Sequence, residues 1–322
     1  MPLFLRAIMK TVLVTGGAGY IGSVAVNSLL EKGHNVVVVD NLSKGKPELV
    51  NEKAKLYPFD LVHSEKLHTV FEENQIDAVI HIAAYKAVEE SMNNAVKYSD
   101  NITGTINLLN NMVKFGVSNI IYSSSAAVYG LPGEDVVDES TPTEPINYYG
   151  FTKLECEKII DWYSKVYSIH YVSLRYFNVA GDVLGYIDPD AQNVLPIIME
   201  VLTGKRDKFV IFGNDYETRD GTCIRDYVHV QDLVDAHIKA LEIKGNHIIN
   251  LGTNKGTTVT ELLDATEEVT KQKINEEVGT RREGDPSCLV ATNNLAKDIL
   301  GWEPKHGIAE IIRTTYEAYK NE

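Results

Sequence analysis

The 322-residue sequence holds only three cysteines, Cys156, Cys223 and Cys288, and none of them forms a CxxC pair. An odd count at wide spacing argues against a disulfide framework and reads as reduced thiols in a cytoplasmic enzyme, with no metal expected. No apolar run reaches the ~18 residues that a membrane-spanning helix needs, so no membrane partner is expected. Positive charge is short: 31 Lys and Arg against 45 Asp and Glu leave a net −14. That balance argues against non-specific nucleic-acid binding, while a few local cations could still hold a small anion. No internal repeat or low-complexity tract is visible. The eight residues before Met9 are too few for a signal peptide with its own cleavage site. Met9 is the expected natural start, and residues 1–8 read as an extension.

What the chain does have is a core: 44% of its residues are hydrophobic, enough for one large α/β domain and a smaller one. Short β-branched runs occur at 11–15, 35–40, 55–59, 77–83, 119–124 and 170–177. Helical patterns fill the gaps at 21–32, 64–73, 99–115 and 149–167. Apolar strands alternating with helices predict a doubly wound parallel sheet of the Rossmann type, buried on both faces. Past residue 178 the pattern loosens into "GDVLGYIDPDAQN" and mixed short elements. The expected division is a dinucleotide-binding domain over 1–178 and a smaller α/β substrate domain over 179–322, with stretches near 225–250 able to return to the first.

"VLVTGGAGYIG" sets Gly16, Gly19 and Gly22 between the first strand and the first helix. Glycines there let the backbone approach a pyrophosphate, whose charge the helix N-terminus favours. The next strand, "VVVVDN", ends in Asp40, 18 residues after Gly22, close to the spacing of about 20 for a ribose-binding acid. A carboxylate there repels a 2′-phosphate, and no arginine follows in "NLSKGK", so NAD is favoured over NADP although Lys44 and Lys46 are near. Further on, "NYYGFTK" holds two tyrosines, and only Tyr149 has a cation four positions later, at Lys153, on the same helix face. By itself that spacing fits a solvated helix as well as a catalytic pair.

Taken together, the glycine triplet, "SSSAAVYG" (123–130) and the Tyr149/Lys153 spacing resemble the extended short-chain dehydrogenase/reductase superfamily. More specific stretches resemble the UDP-galactose 4-epimerase family within it. These are "HIAAYKAVEES" (81–91), "YSDNITGTINLL" (98–109), "LRYFNVAG" (174–181), "FGNDYETRDGTCIRDYVHVQDL" (212–233) and "RREGD" (281–285). The likeness runs from about residue 10 to 320.

The resemblance implies a 4-epimerase acting on a UDP-hexose through a 4-keto sugar, with tightly held NAD and a homodimer formed through the helices at about 99–115 and 149–167. It implies Tyr149 as acid/base, Tyr148 as a mere neighbour, Ser125 as the partner of the reacting oxygen, and Lys153 as anchor of the nicotinamide ribose. Around the cofactor it places Gly16, Gly19, Tyr20, Ile21, Gly22, Asp40, Asn41, Asp60, Leu61, Ala83, Ala84, Lys86, Asn101, Ser123 and Tyr176 with the catalytic pair. Ala84 departs from the glycine common in relatives. On the substrate it places Lys86, Asn178, Asn193, Val194 and Tyr227, with Phe212 stacked on uracil. Arg225 and Arg282 would grip the diphosphate, Asp285 the ribose, and Leu289 would tune room for an N-acetyl group, so that some UDP-N-acetylglucosamine turnover is expected. Free tyrosine ionises near 10, and the Lys153 ammonium with the nicotinamide charge is expected to favour the phenolate.

Rivals fit less well. A 4,6-dehydratase needs an acid pair after the serine, where this chain has Ala126 and Ala127, and a related decarboxylase usually has a glutamate there. A non-catalytic NAD sensor tends to lose the tyrosine–lysine pair, which this chain keeps.

Overall fold

The computed structural model describes residues 9–133, 136–189, 191–282 and 286–321. Seven strands form the main sheet: β1 (Thr11–Thr15), β2 (Asn35–Asp40), β3 (Lys55–Pro58), β4 (Ala78–His81), β5 (Asn119–Ser123), β6 (His170–Tyr176) and β7 (Asn246–Leu251). All pairings are parallel, in the order β7-β6-β5-β4-β1-β2-β3. The first six match the expected runs to within two residues at each end. The seventh, contributed from beyond residue 178, runs beside β6 from the Tyr171–Asn246 pair to the Tyr176–Leu251 pair.

The strands are apolar without alternation because both faces are covered. Leu13, Val37, Val79 and Ile120 pack with Leu67, Phe71, Leu108, Met112 and Ile160 on one side. These come from α2 (Ser64–Glu73), α3 (Ala95–Phe115) and α4 (Tyr148–Tyr167). Val12, Val14, Val38 and Ile80 pack on the other side with Val26, Leu29, Leu233 and Ile238. Those belong to α1 (Tyr20–Glu31) and α5 (Val230–Ala240). Helix α3 begins a turn earlier than its apolar pattern predicts, because the Asn94 side chain caps it by accepting from the Lys97 amide at 3.2 Å. Asn147 caps α4 likewise, taking the Gly150 amide at 2.8 Å, so Tyr148 is its first residue.

A second core, with Leu195, Ile198, Phe209, Ile211, Leu262, Ile311 and Ile312, holds the C-terminal lobe. Strand order reverses between β4 and β1, so the cleft at the carboxyl ends of β1, β2, β4 and β5 is where a ligand binds in such sheets.

Trp302 joins the tail to the sheet: it is almost wholly buried, and its Nε1 donates to the Asp232 carbonyl of α5 at 2.8 Å. Trp302→Ala should cost about 3–5 kcal/mol in denaturant unfolding; a loss under ~1 kcal/mol would mean that this packing contributes little.

Candidate active site

At the end of β1, two of the three glycines are imposed by space. Gly16 has φ +74°, and a Cβ on it would lie 2.8 Å from the Ala83 amide nitrogen; one on Gly22 would lie 1.9 Å from the Gly16 carbonyl oxygen. Gly19 differs: its φ is −82°, and a Cβ would meet nothing closer than 3.4 Å. It precedes the first turn of α1, where no side chain caps the amides and no acid is present. That N-terminus suits a pyrophosphate. Ile21 is partly exposed in the same turn. The Tyr20 side chain turns away instead: its hydroxyl donates to the Gly181 carbonyl, and its ring lies 5.3 Å from that of Tyr186.

Asp40 ends β2 with each carboxylate oxygen accepting an amide, Ala18 at 3.0 Å and Leu42 at 2.8 Å. Burial raises its pKa, and these amides work against that rise. Beside it, Asn41 donates to Asp60 at 2.7 Å, and the Tyr85 hydroxyl reaches the same Asp60 oxygen at 3.4 Å. Leu61 is buried against Gly104, where a Cβ would come within 2.9 Å of the Leu61 Cβ. Thus Asp40, Asn41, Asp60 and Leu61 share one wall of the cleft. Tyr85 completes it and was missed, although it lies between the matched Ala84 and Lys86.

Asn101 serves the wall indirectly. Its side chain bonds both backbone groups of Tyr85, at 2.9 and 3.1 Å, and donates to Thr152 at 3.2 Å. It therefore holds the 83–86 segment to α4. Lys86 reaches Asp188, 3.6 Å away, on the loop after residue 181.

The three expected catalytic side chains do converge. A Cβ on Gly150 would lie 2.4 Å from the Ala127 carbonyl, so α4 presses directly on the short 3₁₀ turn Ala126–Val128 that Ser125 opens. This contact brings the Ser125 hydroxyl, which accepts from the Ala127 amide at 3.1 Å, close enough to the Tyr149 hydroxyl to favour its ionisation. Tyr148 bonds Ser99 at 2.8 Å and stacks on Phe151, away from this group. Lys153 is buried, donates to the Ser123 carbonyl at 2.8 Å, and lies 5.9 Å from the Tyr149 ring centre.

Burial raises the Tyr149 pKa, opposed by the Ser125 hydrogen bond, and burial pushes Lys153 down to about 8. Without a further positive charge the phenol keeps its proton, because desolvation outweighs the help of the Ser125 hydroxyl.

Ser123 supports the floor. Its hydroxyl bonds His237 Nε2 at 2.8 Å, while His237 Nδ1 lies 2.8 Å from the Leu233 carbonyl. A carbonyl only accepts, so Nδ1 carries the proton and the serine donates to Nε2. Burial holds His237 neutral, its pKa lowered to about 4. The Tyr176 phenol is buried beside Ser123, whose hydroxyl works against the upward push of burial on its pKa.

The residues expected on the substrate fall into two groups. Asn178 and Tyr227 pair across two short parallel strands, and the Asn178 side chain donates to the Asp226 carbonyl at 3.1 Å. Arg225 stands opposite Leu289 in another parallel pair. Leu289 packs with Val128, Tyr129 and Leu154 behind the Ser125 turn. Phe212, Asn193 and Val194 belong to the C-terminal lobe. The Arg282 guanidinium lies 3.9 Å over the Phe212 ring, so the two residues assigned to diphosphate and uracil lie side by side. Asp285 lies outside the described residues.

The sequence profile described as the NAD dependent epimerase/dehydratase family matches residues 12–252. The UDP-glucose 4-epimerase of Streptococcus mutans serotype c is 48% identical over 305 residues, 91% of this chain and 92% of that protein. That of Lacticaseibacillus casei is 44% identical over 321 residues, 97% of each. Among solved structures, UDP-glucose 4-epimerase from Brucella ovis in complex with NAD superposes with a TM-score of 0.93 at 38% identity, over 96% of this chain and 98% of that one.

The glycines separate packing from binding. Gly22→Ala should cost at least about 2 kcal/mol of stability, whereas Gly19→Ala should stay within about 1 kcal/mol and still weaken NAD binding. Thermal unfolding and cofactor content of the two variants check this; equal behaviour would refute it.

Proposed function

This chain belongs to the NAD dependent epimerase/dehydratase family, and on that premise we propose that it interconverts UDP-glucose and UDP-galactose through a transient 4-keto sugar. The observation that carries the reading is the convergence of Ser125, Tyr149 and Lys153 at the carboxyl edge of β5, followed by Ala126 and Ala127 where a dehydratase needs acids.

The residues present fit a dinucleotide. The amides at the start of α1 would take the pyrophosphate, and the wall of Asp40, Asn41, Asp60 and Leu61 would take the adenosine half. Bound NAD supplies a hydride acceptor that returns what it takes. Tyr149 is the acid/base: it removes the proton from the sugar 4-hydroxyl and gives it back. Ser125 holds that oxygen by a second hydrogen bond. Lys153, anchored on the Ser123 carbonyl, keeps a positive charge beside the phenol. Arg225 and Arg282 would hold the diphosphate, guanidinium forks suiting its oxygens, and Phe212 would stack on uracil.

The reading extends to a cytoplasmic homodimer. No described helix is long and apolar enough to cross a membrane, and none of the three cysteines forms a disulfide. Phe151, Trp162, Val166 and Tyr167 stand exposed on α4, where a second copy would cover them.

Tyr149→Phe should leave NAD content intact and lower kcat by a factor of about 10² or more, read as UDP-galactose formed from UDP-glucose without added electron acceptor. In the NAD-loaded wild type, where the nicotinamide charge is to bring the Tyr149 pKa below that of Lys153, kcat/KM should rise with pH as Tyr149 ionises and fall again as Lys153, held near 8, loses its proton. A flat profile would remove Tyr149 from the role.

A further inference from the structure

Behind these three side chains lies a buried ion pair that the proposed chemistry leaves unused. Glu157 stands one helical turn beyond Lys153 on α4, Arg175 lies on β6, and neither side chain is more than 5% exposed. The pair is a two-pronged fork: Arg175 Nε donates to Glu157 Oε1 at 2.9 Å, and Nη2 donates to Oε2 at 2.6 Å. The Ser124 hydroxyl also donates to Oε1. The remaining guanidinium nitrogen donates to the Tyr129 hydroxyl at 3.1 Å, which in turn donates to Asn250 on β7 at 2.7 Å. The ends of β5, β6 and β7 are thereby tied to α4 and to the turn after Ser125, which Tyr129 closes. Ser124 sits between the carbonyl that holds Lys153 and the hydroxyl that meets Tyr149. An apolar pair of similar volume would often be as stable as a buried ion pair, so stability alone does not account for two charges here.

We propose that Glu157 and Arg175 are positioning residues for the epimerisation, locking Ser124 so that the Ser123 carbonyl and the Ser125 hydroxyl stay where Lys153 and Tyr149 need them. The inference rests on the reading of Tyr149 as acid/base. Charge adds to geometry. Lys153 faces Tyr149, Cys156 and Glu157 on its own helix, Tyr122 on β5 and His81 on β4, with Tyr176 on β6 beyond Tyr149. Burial keeps His81, Cys156 and Tyr122 neutral. That leaves the Glu157 carboxylate as the anion in this group that supports the Lys153 ammonium.

The test uses the NAD-loaded enzyme, with wild-type epimerisation of UDP-glucose as the control for the underlying reading. Glu157→Gln should lower kcat roughly tenfold to a hundredfold while the KM for UDP-glucose and the NAD content stay unchanged. Its alkaline pH limb should move to lower pH, because losing the carboxylate disfavours the ammonium. Adding Arg175→Met removes the stranded cation and should bring that limb back toward wild type; a purely structural pair would leave the limb unmoved in both variants. Ser124→Ala strands no charge and decides the matter if Glu157→Gln does not fold: a lower kcat at unchanged KM supports the proposal, and wild-type kcat overturns it. A folded Glu157→Gln with wild-type kcat and an unmoved limb overturns this inference and leaves the epimerase reading standing. A wild type that forms no UDP-galactose takes both down.

Discussion

The candidate site depends on one close approach, that of Gly150 to the Ala127 carbonyl. With no Cβ at that position, α4 settles onto the turn after β5, and Tyr149 meets the hydroxyl of Ser125. Any side chain there would lift the helix by more than the length of a hydrogen bond can absorb. The same approach sets Lys153 against the Ser123 carbonyl, so one steric fact aligns all three side chains at once.

Desolvation then sets their chemistry. Burial pushes the phenol's pKa up and the ammonium's down to about 8, which leaves a protonated phenol beside a lysine that is still charged until another cation enters the cleft. A base that ionises only when a cation is beside it is guarded against idle proton exchange. In the proposed cycle that cation is the oxidised nicotinamide, so binding the cofactor and arming the base are one event.

The two lobes meet over the dinucleotide turn. Tyr20 reaches the Gly181 carbonyl, Tyr186 lies against Tyr20 with Lys46 5.2 Å from its ring centre, and Lys86 reaches Asp188. This arrangement suits a reaction whose oxidised intermediate must not part from its cofactor.

Periodicity and spacing alone determined the doubly wound sheet, the glycine turn and Asp40 at the end of β2, because each rests on patterns local in sequence, whereas the choice of Tyr149 over Tyr148 needed the family resemblance as well. Helix starts at Asn94 and Asn147 shifted by up to a turn, since capping oxygens rather than apolar residues decide them. Tyr85, His237 and the Glu157–Arg175 pair stayed hidden, although Glu157 four places after Lys153 was a signal open to reading. Only the tertiary structure joined β7 to β6, set Leu289 beside Arg225, laid Arg282 over Phe212, and buried Tyr149 so that desolvation raises its pKa. The physical reason is the same throughout: propensity and pattern act over a few residues, whereas desolvation and long-range pairing exist only once distant segments have closed on one another.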